Sequence, residues 1–178
     1  MSCDISRGRL EPCKDSVGGI NAVYFINKGA ITLSDVTYDS TDTDVITSVG
    51  SSVPAFKFDV KGASTYTENI QSSRENGTTS FEQVLELQLT KLTKEDHKTI
   101  KLLAFGSPSI LVEDNNGNVF LAGLEHGLDI SGGTIVSGAA MSDMSGYTLT
   151  FTGMERAPAN FIDGGYIAGA GFTVTVGT

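Results

Sequence analysis

The chain has 178 residues, 39% of them hydrophobic, and 12 basic against 21 acidic side chains give a net charge of −9. That length suits one domain with an appended arm. No run of about 18 apolar residues is present to span a bilayer, and the start Met1-Ser2-Cys3-Asp4-Ile5-Ser6-Arg7 is too polar for a signal peptide, so synthesis and folding in the cytoplasm are expected.

Glycine fills 21 positions, Trp is absent, and Ser and Thr crowd nearly every segment. This composition favours strands and turns over helices. The charge is uneven. Residues 1–28 hold four bases against three acids, whereas from Leu102 onward Arg156 is the only base among seven acids. Such a half lacks the basic footprint that gripping phosphates requires. An acidic surface suits either simple solubility or a polyanion that has to slide past without an anchor.

In chain order, the apolar run Ala22 to Ile26, ended by Asn27-Lys28-Gly29 and followed by Ile31 to Val36, predicts a hairpin. Residues 37–52 are polar and read as a long exposed loop or a loose hairpin with a short strand at Val45-Ile46. Phe56, Phe58 and Val60 alternate with Lys57, Asp59 and Lys61, which predicts a half-buried strand, and a second follows over Ser64 to Gln71. The strongest strand signal comes next. Phe81, Leu85, Leu87 and Leu89 fall on one face, and Glu82, Glu86, Gln88 and Thr90 on the other.

Thr93 then offers an N-cap, with Glu95 and Asp96 in the first turn and an apolar stripe of Ile100, Leu103 and Ala104. Gly106 and Pro108 stop this helix. Ile110-Leu111-Val112 and Val119-Phe120-Leu121 flank Asp114-Asn115-Asn116-Gly117-Asn118, a hairpin with an Asn-Gly turn. A calcium loop starting at Asp114 would need glycine where Val119 stands. Leu124 to Ile130 reads as a short strand region broken by Gly127, Ser131 to Ser145 as a loop or ragged hairpin, and Tyr147, Leu149 and Phe151 mark a further strand. Beyond Gly164-Gly165, Phe172 to Val176 reads as an extra strand on a flexible tether.

Catalytic signatures are missing. There is no phosphate-binding glycine loop, no nucleophile elbow and no His-Glu-x-x-His. Glu82 and Glu86 would stand roughly 13 Å apart along a strand, too far for a glycosidase pair. A zinc site from Cys3, Cys13, His97 and His126 would need distant segments to fold back onto the arm, so free thiols are the simpler reading. His97 reads as a packing residue at the stripe's edge. No enzyme, cofactor or metal is expected, and a β-rich chain with long loops and a tethered strand suits an assembly subunit, whose terminal strand can complete a neighbour's sheet.

The segment Phe81 to Ile162 runs long strand, capped helix and Asp114-to-Asn118 hairpin, then Gly123-Leu-Glu-His-Gly127, Met141-Ser-Asp-Met-Ser-Gly146 and Tyr147-Thr-Leu-Thr-Phe-Thr-Gly-Met-Glu155. Together with Gly8 to Gly19, this order resembles the tail tube (major tail) proteins of tailed bacteriophages, especially those of Bacteroidota hosts. The resemblance implies a mainly β fold, a tail-tube-like sandwich or barrel with one flanking helix, over residues 1–162 with an N-terminal arm, and a glycine-rich C-terminal arm over 163–178. It further implies hexameric rings of identical subunits, stacked into a tube of the virion tail in contact with other tail proteins. Double-stranded DNA passes through transiently, and no membrane is involved. Glu82, Glu86, Gln88 and Thr90 are then the candidate channel-lining face, chosen by alternation, with Thr148, Thr150 and Thr152 beside them, while loop 37–52 and both termini would make ring-to-ring contacts. A head-tail connector or capsid-decorating protein is the alternative role. A carbohydrate-binding module would want exposed aromatic platforms that a chain without Trp supplies poorly.

Overall fold

The computed structural model describes residues 7–11, 13–50, 52–60, 63–165 and 167–177; Cys3 lies outside them. In chain order the described elements are β1 (Ile20–Ile26), β2 (Thr37–Tyr38), β3 (Val45–Ser48), β4 (Val53–Asp59), β5 (Thr65–Ser73) and β6 (Thr78–Thr90). There follow α1 (Lys94–Phe105), β7 (Ser109–Asp114), β8 (Val119–Ala122), β9 (Asp129–Ser137), β10 (Ser145–Glu155), β11 (Asn160–Ile162) and β12 (Phe172–Val176). The strands form an eight-stranded sheet in the order β12-β4-β1-β7-β8-β11-β3-β2 and a four-stranded sheet in the order β5-β6-β10-β9. The fold is mainly β, a two-sheet sandwich with one flanking helix.

The barrel alternative is corrected, because neither sheet closes on itself. Four strands are too few to enclose a side-chain-filled interior, which takes about eight. The larger sheet ends at β2, whose two residues are too short to pair along β12.

β1 explains why the larger sheet has cores on both faces. Its run of apolar residues is buried from Ala22 to Ile26, as expected of a central strand covered on both sides. Ala22, Tyr24 and Ile26 join Leu111, Leu121, Ile46, Ile162 and Phe172 in one cluster. Contributions from β3 and β11 near one end and β12 near the other mean that this sheet curls around its own core. Val23 and Phe25 point the other way and join Leu85, Leu87, Ile110, Tyr147, Leu149 and Phe151 in the cluster between the sheets. Each such side chain contributes about 1.5–3 kcal/mol of burial. Phe25 sits edge-on to Phe58, with ring centroids 5.0 Å apart, and 5.4 Å from Phe151.

Several sequence readings change here. β1 pairs with β4 and β7 and not with residues 31–36, which form turns, so the first hairpin is absent. In β4 the buried residues are Val53 and Ala55, while Phe56 is exposed and Phe58 half-buried. That parity is set by the curled core, which takes one side of β4 and leaves Phe56 and Phe58 facing α1. Residues 37–48 do form a short hairpin, and β3 is held on its other side by a parallel pairing with β11. The glycine-rich stretch after Asp129 is a nine-residue strand, β9, paired along β10. A Cβ at Gly133 would lie 2.8 Å from the Thr148 carbonyl oxygen, so close backbone approach explains a glycine that reads as loop. The C-terminal strand lies in this chain's own sheet, parallel to β4, with Ala170 and Phe172 buried.

α1 matches its sequence signals. The Asp96 amide donates to Thr93 Oγ1 at 3.0 Å, and the Gly106 amide donates to the Leu103 carbonyl. Of its stripe, Ile100 is buried and Leu103 half-buried, whereas Ala104 is exposed.

The Asp114-to-Asn118 turn does more than join β7 to β8. Asp114 Oδ1 accepts the amides of Asn116 and Asn118 at 2.9 and 2.7 Å, and Oδ2 accepts both Asn side chains. Asn116 in turn exchanges two hydrogen bonds with the backbone of Val17, at 2.9 and 2.7 Å, and Asn115 Nδ2 donates to the Gly18 carbonyl. The turn thus clamps the incoming N-terminal arm. Partial desolvation pushes the Asp114 carboxyl up, but the Asn118 and Asn116 side chains and amides outweigh it and hold the group below its ordinary value of 3.8.

A carboxylate with a depressed folded-state pKa adds stability above its unfolded pKa and loses that contribution as pH falls through the folded value. The stability gap between the wild type and Asp114→Asn, measured by urea denaturation, is therefore expected to be constant above about pH 5 and to shrink below pH 3.8. Asn116→Ala is expected to leave the fold intact and to speed proteolysis and amide exchange in residues 7–18.

Candidate functional site

The four-stranded sheet has one face in the core and one open to solvent. On β6, Gln83, Leu85 and Leu87 are buried, while Glu86 and Thr90 are exposed and Glu82 and Gln88 half-buried. The register places Thr148 opposite Gln88, Thr150 opposite Glu86 and Thr152 opposite Val84 on one side. On the other side Thr65 faces Glu86 and Asn69 faces Glu82. All four candidate residues and the three threonines thus share one face, as the alternation implies. By the same parity β9 adds Thr134 and Val136.

The register sets no Lys or Arg within the paired residues of this face. Glu82 and Glu86 are steadied by neutral donors, and Asp129 stands opposite Thr152 in the register. Asn69 Nδ2 and Gln71 Nε2 each donate to Glu82 Oε2 at 3.3 Å, and Thr65 Oγ1 stands 3.5 Å from Glu86 Oε2. The Gln88 amide donates to Ser64 Oγ at 3.0 Å. The result is a mostly polar surface carrying negative charge on cross-braced side chains, with Val84 and Val136 among them.

Both outer strands of this sheet are long and open. β5 and β9 each have nine residues and pair on one side only. Neither carries the Lys or Pro that commonly blunts a free edge. Ile70 on β5 and Ile135 on β9 are 70% and 54% exposed although both sit on the core-facing parity. They stand where the sheet runs past its partner sheet.

The face is held in place by a polar relay, buried at Gln83 and half-buried at Glu68 and Tyr66, that the alternation does not reveal. Glu68 Oε1 accepts the Tyr66 hydroxyl at 2.6 Å, the Ala159 amide at 2.8 Å and Gln83 Nε2 at 3.1 Å. Gln83 Oε1 accepts the Gly123 amide at 2.8 Å. Burial first, then the hydrogen bond and charge of Glu68, push the Tyr66 hydroxyl well above its usual pKa, so it remains a donor. The only sequence signal for this relay is a glutamine on the apolar parity of a strand. His97 lies exposed on α1 with its ring 6.4 Å from that of Tyr147, and Cys13 is exposed. Among the described residues no helix is long and apolar enough to cross a membrane.

No family model matches the chain, and neither a curated protein nor a solved structure matches it.

Gln83→Leu leaves the Gly123 amide without its acceptor and removes one donor from Glu68. A loss of about 1–3 kcal/mol is expected in urea unfolding, larger than for Gln88→Leu at the half-buried position on the open face.

Proposed function

We propose that this chain is a structural subunit that assembles edge to edge into closed rings. Its role in that class is as a tail tube protein of a tailed bacteriophage, with the open face of β5-β6-β10-β9 turned inward. The carrying observation is the coincidence, on one sheet, of two nine-residue edge strands without Lys or Pro and a polar face free of basic side chains. Pairing β5 of one copy with β9 of the next satisfies both rows of edge amides and carbonyls, and repetition around an axis yields a continuous inner wall. Ile70 and Ile135 gain cover in the same step.

The charge supports this reading. Duplex DNA carries about one negative charge per 1.7 Å of axis, so a wall bearing Glu82 and Glu86, with Gln88, Thr90, Thr148, Thr150 and Thr152 between, repels the backbone weakly and offers it no anchor. Hexameric symmetry, stacking through residues 37–52 and the termini, contact with other tail proteins and location in the virion tail belong to the same proposal. The resemblance in element order carries them.

Electron microscopy of the purified protein is expected to show rings or stacked tubes. Isolated monomers at high concentration would overturn the proposal, and outward-facing decoration of a shell would move it to the capsid-decorating role. Ile135→Lys places a charge at the edge and is expected to abolish assembly in size-exclusion chromatography while preserving the circular dichroism spectrum. Glu82→Lys with Glu86→Lys is expected to spare assembly and impair genome delivery. Unchanged infectivity in that double variant would remove the face from the channel.

A further inference from the structure

Away from the open face, the turn between β8 and β9 meets the end of β10. Here Glu125, His126 and Glu155 bring one ligating atom each to within 4.8 Å of one another. We propose that these three side chains form a binding site for a divalent transition metal ion of the zinc type.

Glu155 is the fixed member. It is only 7% exposed, and its Oε1 accepts the amides of Glu125 and His126 at 3.2 and 2.8 Å. Its Oε2 has His126 Nδ1 at 3.4 Å, long for a hydrogen bond. It is, however, the spacing of two neighbouring ligands in a tetrahedral site, since bonds of about 2.0–2.1 Å set ligand atoms about 3.3–3.4 Å apart. One oxygen oriented by backbone amides with the other presented to the ion is the arrangement that tunes a metal carboxylate.

The turn is built to hold His126 in place. Lys28 Nζ donates to the His126 carbonyl at 2.8 Å, and Gly123, where the turn begins, is tied to Gln83. Gly127 has a φ of 81°, and a Cβ there would strike the Ser107 carbonyl, so the turn cannot be rebuilt with another residue. Glu125 is the mobile member. Its Oε2 stands 3.7 Å from Arg156 Nε in a loose ion pair whose arginine is 81% exposed. Exchanging that solvated partner for a divalent ion requires only side-chain rotation.

The ligand chemistry selects the ion class. One imidazole nitrogen with two carboxylate oxygens suits zinc and its neighbours, whereas calcium and magnesium prefer all-oxygen shells of six or more. Two carboxylates balance the charge of the ion, and water completes a four-coordinate shell. An ion bound here would fasten the β8–β9 turn to β10 and thereby stabilise the chain by mass action.

Zinc chloride titrated into the full chain by calorimetry tests this, with Cys3→Ser and Cys13→Ser in the background so that arm thiols do not compete. One saturable equivalent per chain and a raised Tm are expected, with cobalt(II) giving the intense visible bands of a tetrahedral site. His126→Ala and Glu125→Gln, both at exposed positions, are expected to weaken binding at least ~10-fold without altering the circular dichroism spectrum. Absence of saturable binding, or binding undiminished in His126→Ala, overturns the site.

Discussion

Glu68 carries the constraint on which the rest of the sandwich depends. Its Oε1 receives donors from its own strand, from β6 and from the segment that leads into β11, and Gln83 passes the connection on to the end of β8. β5 and β6 belong to one sheet, and β8 and β11 to the other. Hydrophobic contact between two sheets is non-directional and tolerates sliding by a residue. A half-buried carboxylate holding three donors on one oxygen is directional, because each donor it loses costs a hydrogen bond to a charged group, about 1.5–3 kcal/mol. The relay therefore converts a greasy interface into one with a single register. Tyr66 and Phe120 stack beside it with ring centroids 6.2 Å apart, and Phe161 packs against Phe120 at 4.8 Å.

Locking β6 at Gln83 has a consequence on the opposite side of the same strand. With Gln83, Leu85 and Leu87 committed inward, strand geometry commits Glu82, Glu86, Gln88 and Thr90 outward, and the β10 pairing carries Thr148, Thr150 and Thr152 with them. A one-residue slip would bury two glutamates and expose two leucines. The polarity of the open face is thus not a loose surface property. It is enforced by the packing behind it.

Much of this was legible in the amino-acid order. The β6 alternation, the Thr93 cap, the Asn-Gly hairpin and the β10 alternation all act over a few residues, where local geometry decides, and they stand as read. The readings that failed are those in which distant chain sets the outcome. In β4, Val53 and Ala55 are buried against the curled core and Phe56 is exposed, while Phe58 and the following Val60 join the cluster between the sheets as the alternation implies. Of the two readings of Ser131 to Ser145, the ragged hairpin is the one the β9–β10 pairing bears out, and the loop reading fails because Gly133 answers to the backbone of β10. The terminal strand, expected to reach a neighbour, finds β4. At the candidate face the exposed members follow from period two, whereas Gln83, Glu68 and the Glu155 carboxylate became meaningful only once partners 15 to 91 residues away were in place.

The two sheets differ in what their edges permit. The larger one ends in the two-residue β2 and in β12, five residues long and parallel to β4. The smaller one ends in two nine-residue strands with no charge-bearing lysine, no proline and exposed isoleucines. Soluble proteins blunt such edges, because an open pair invites unlimited pairing. Leaving both open on a sheet whose far face is polar and whose near face is pinned makes sense where the pairing is bounded by closure of a ring. In the proposed assembly the twist of the four-stranded sheet turns each added copy by a fixed increment, and identical β5-to-β9 joints form a ring where that rotation closes and a helical filament where it does not. Ring closure is, in that proposed assembly, the condition that bounds the pairing of these two edges.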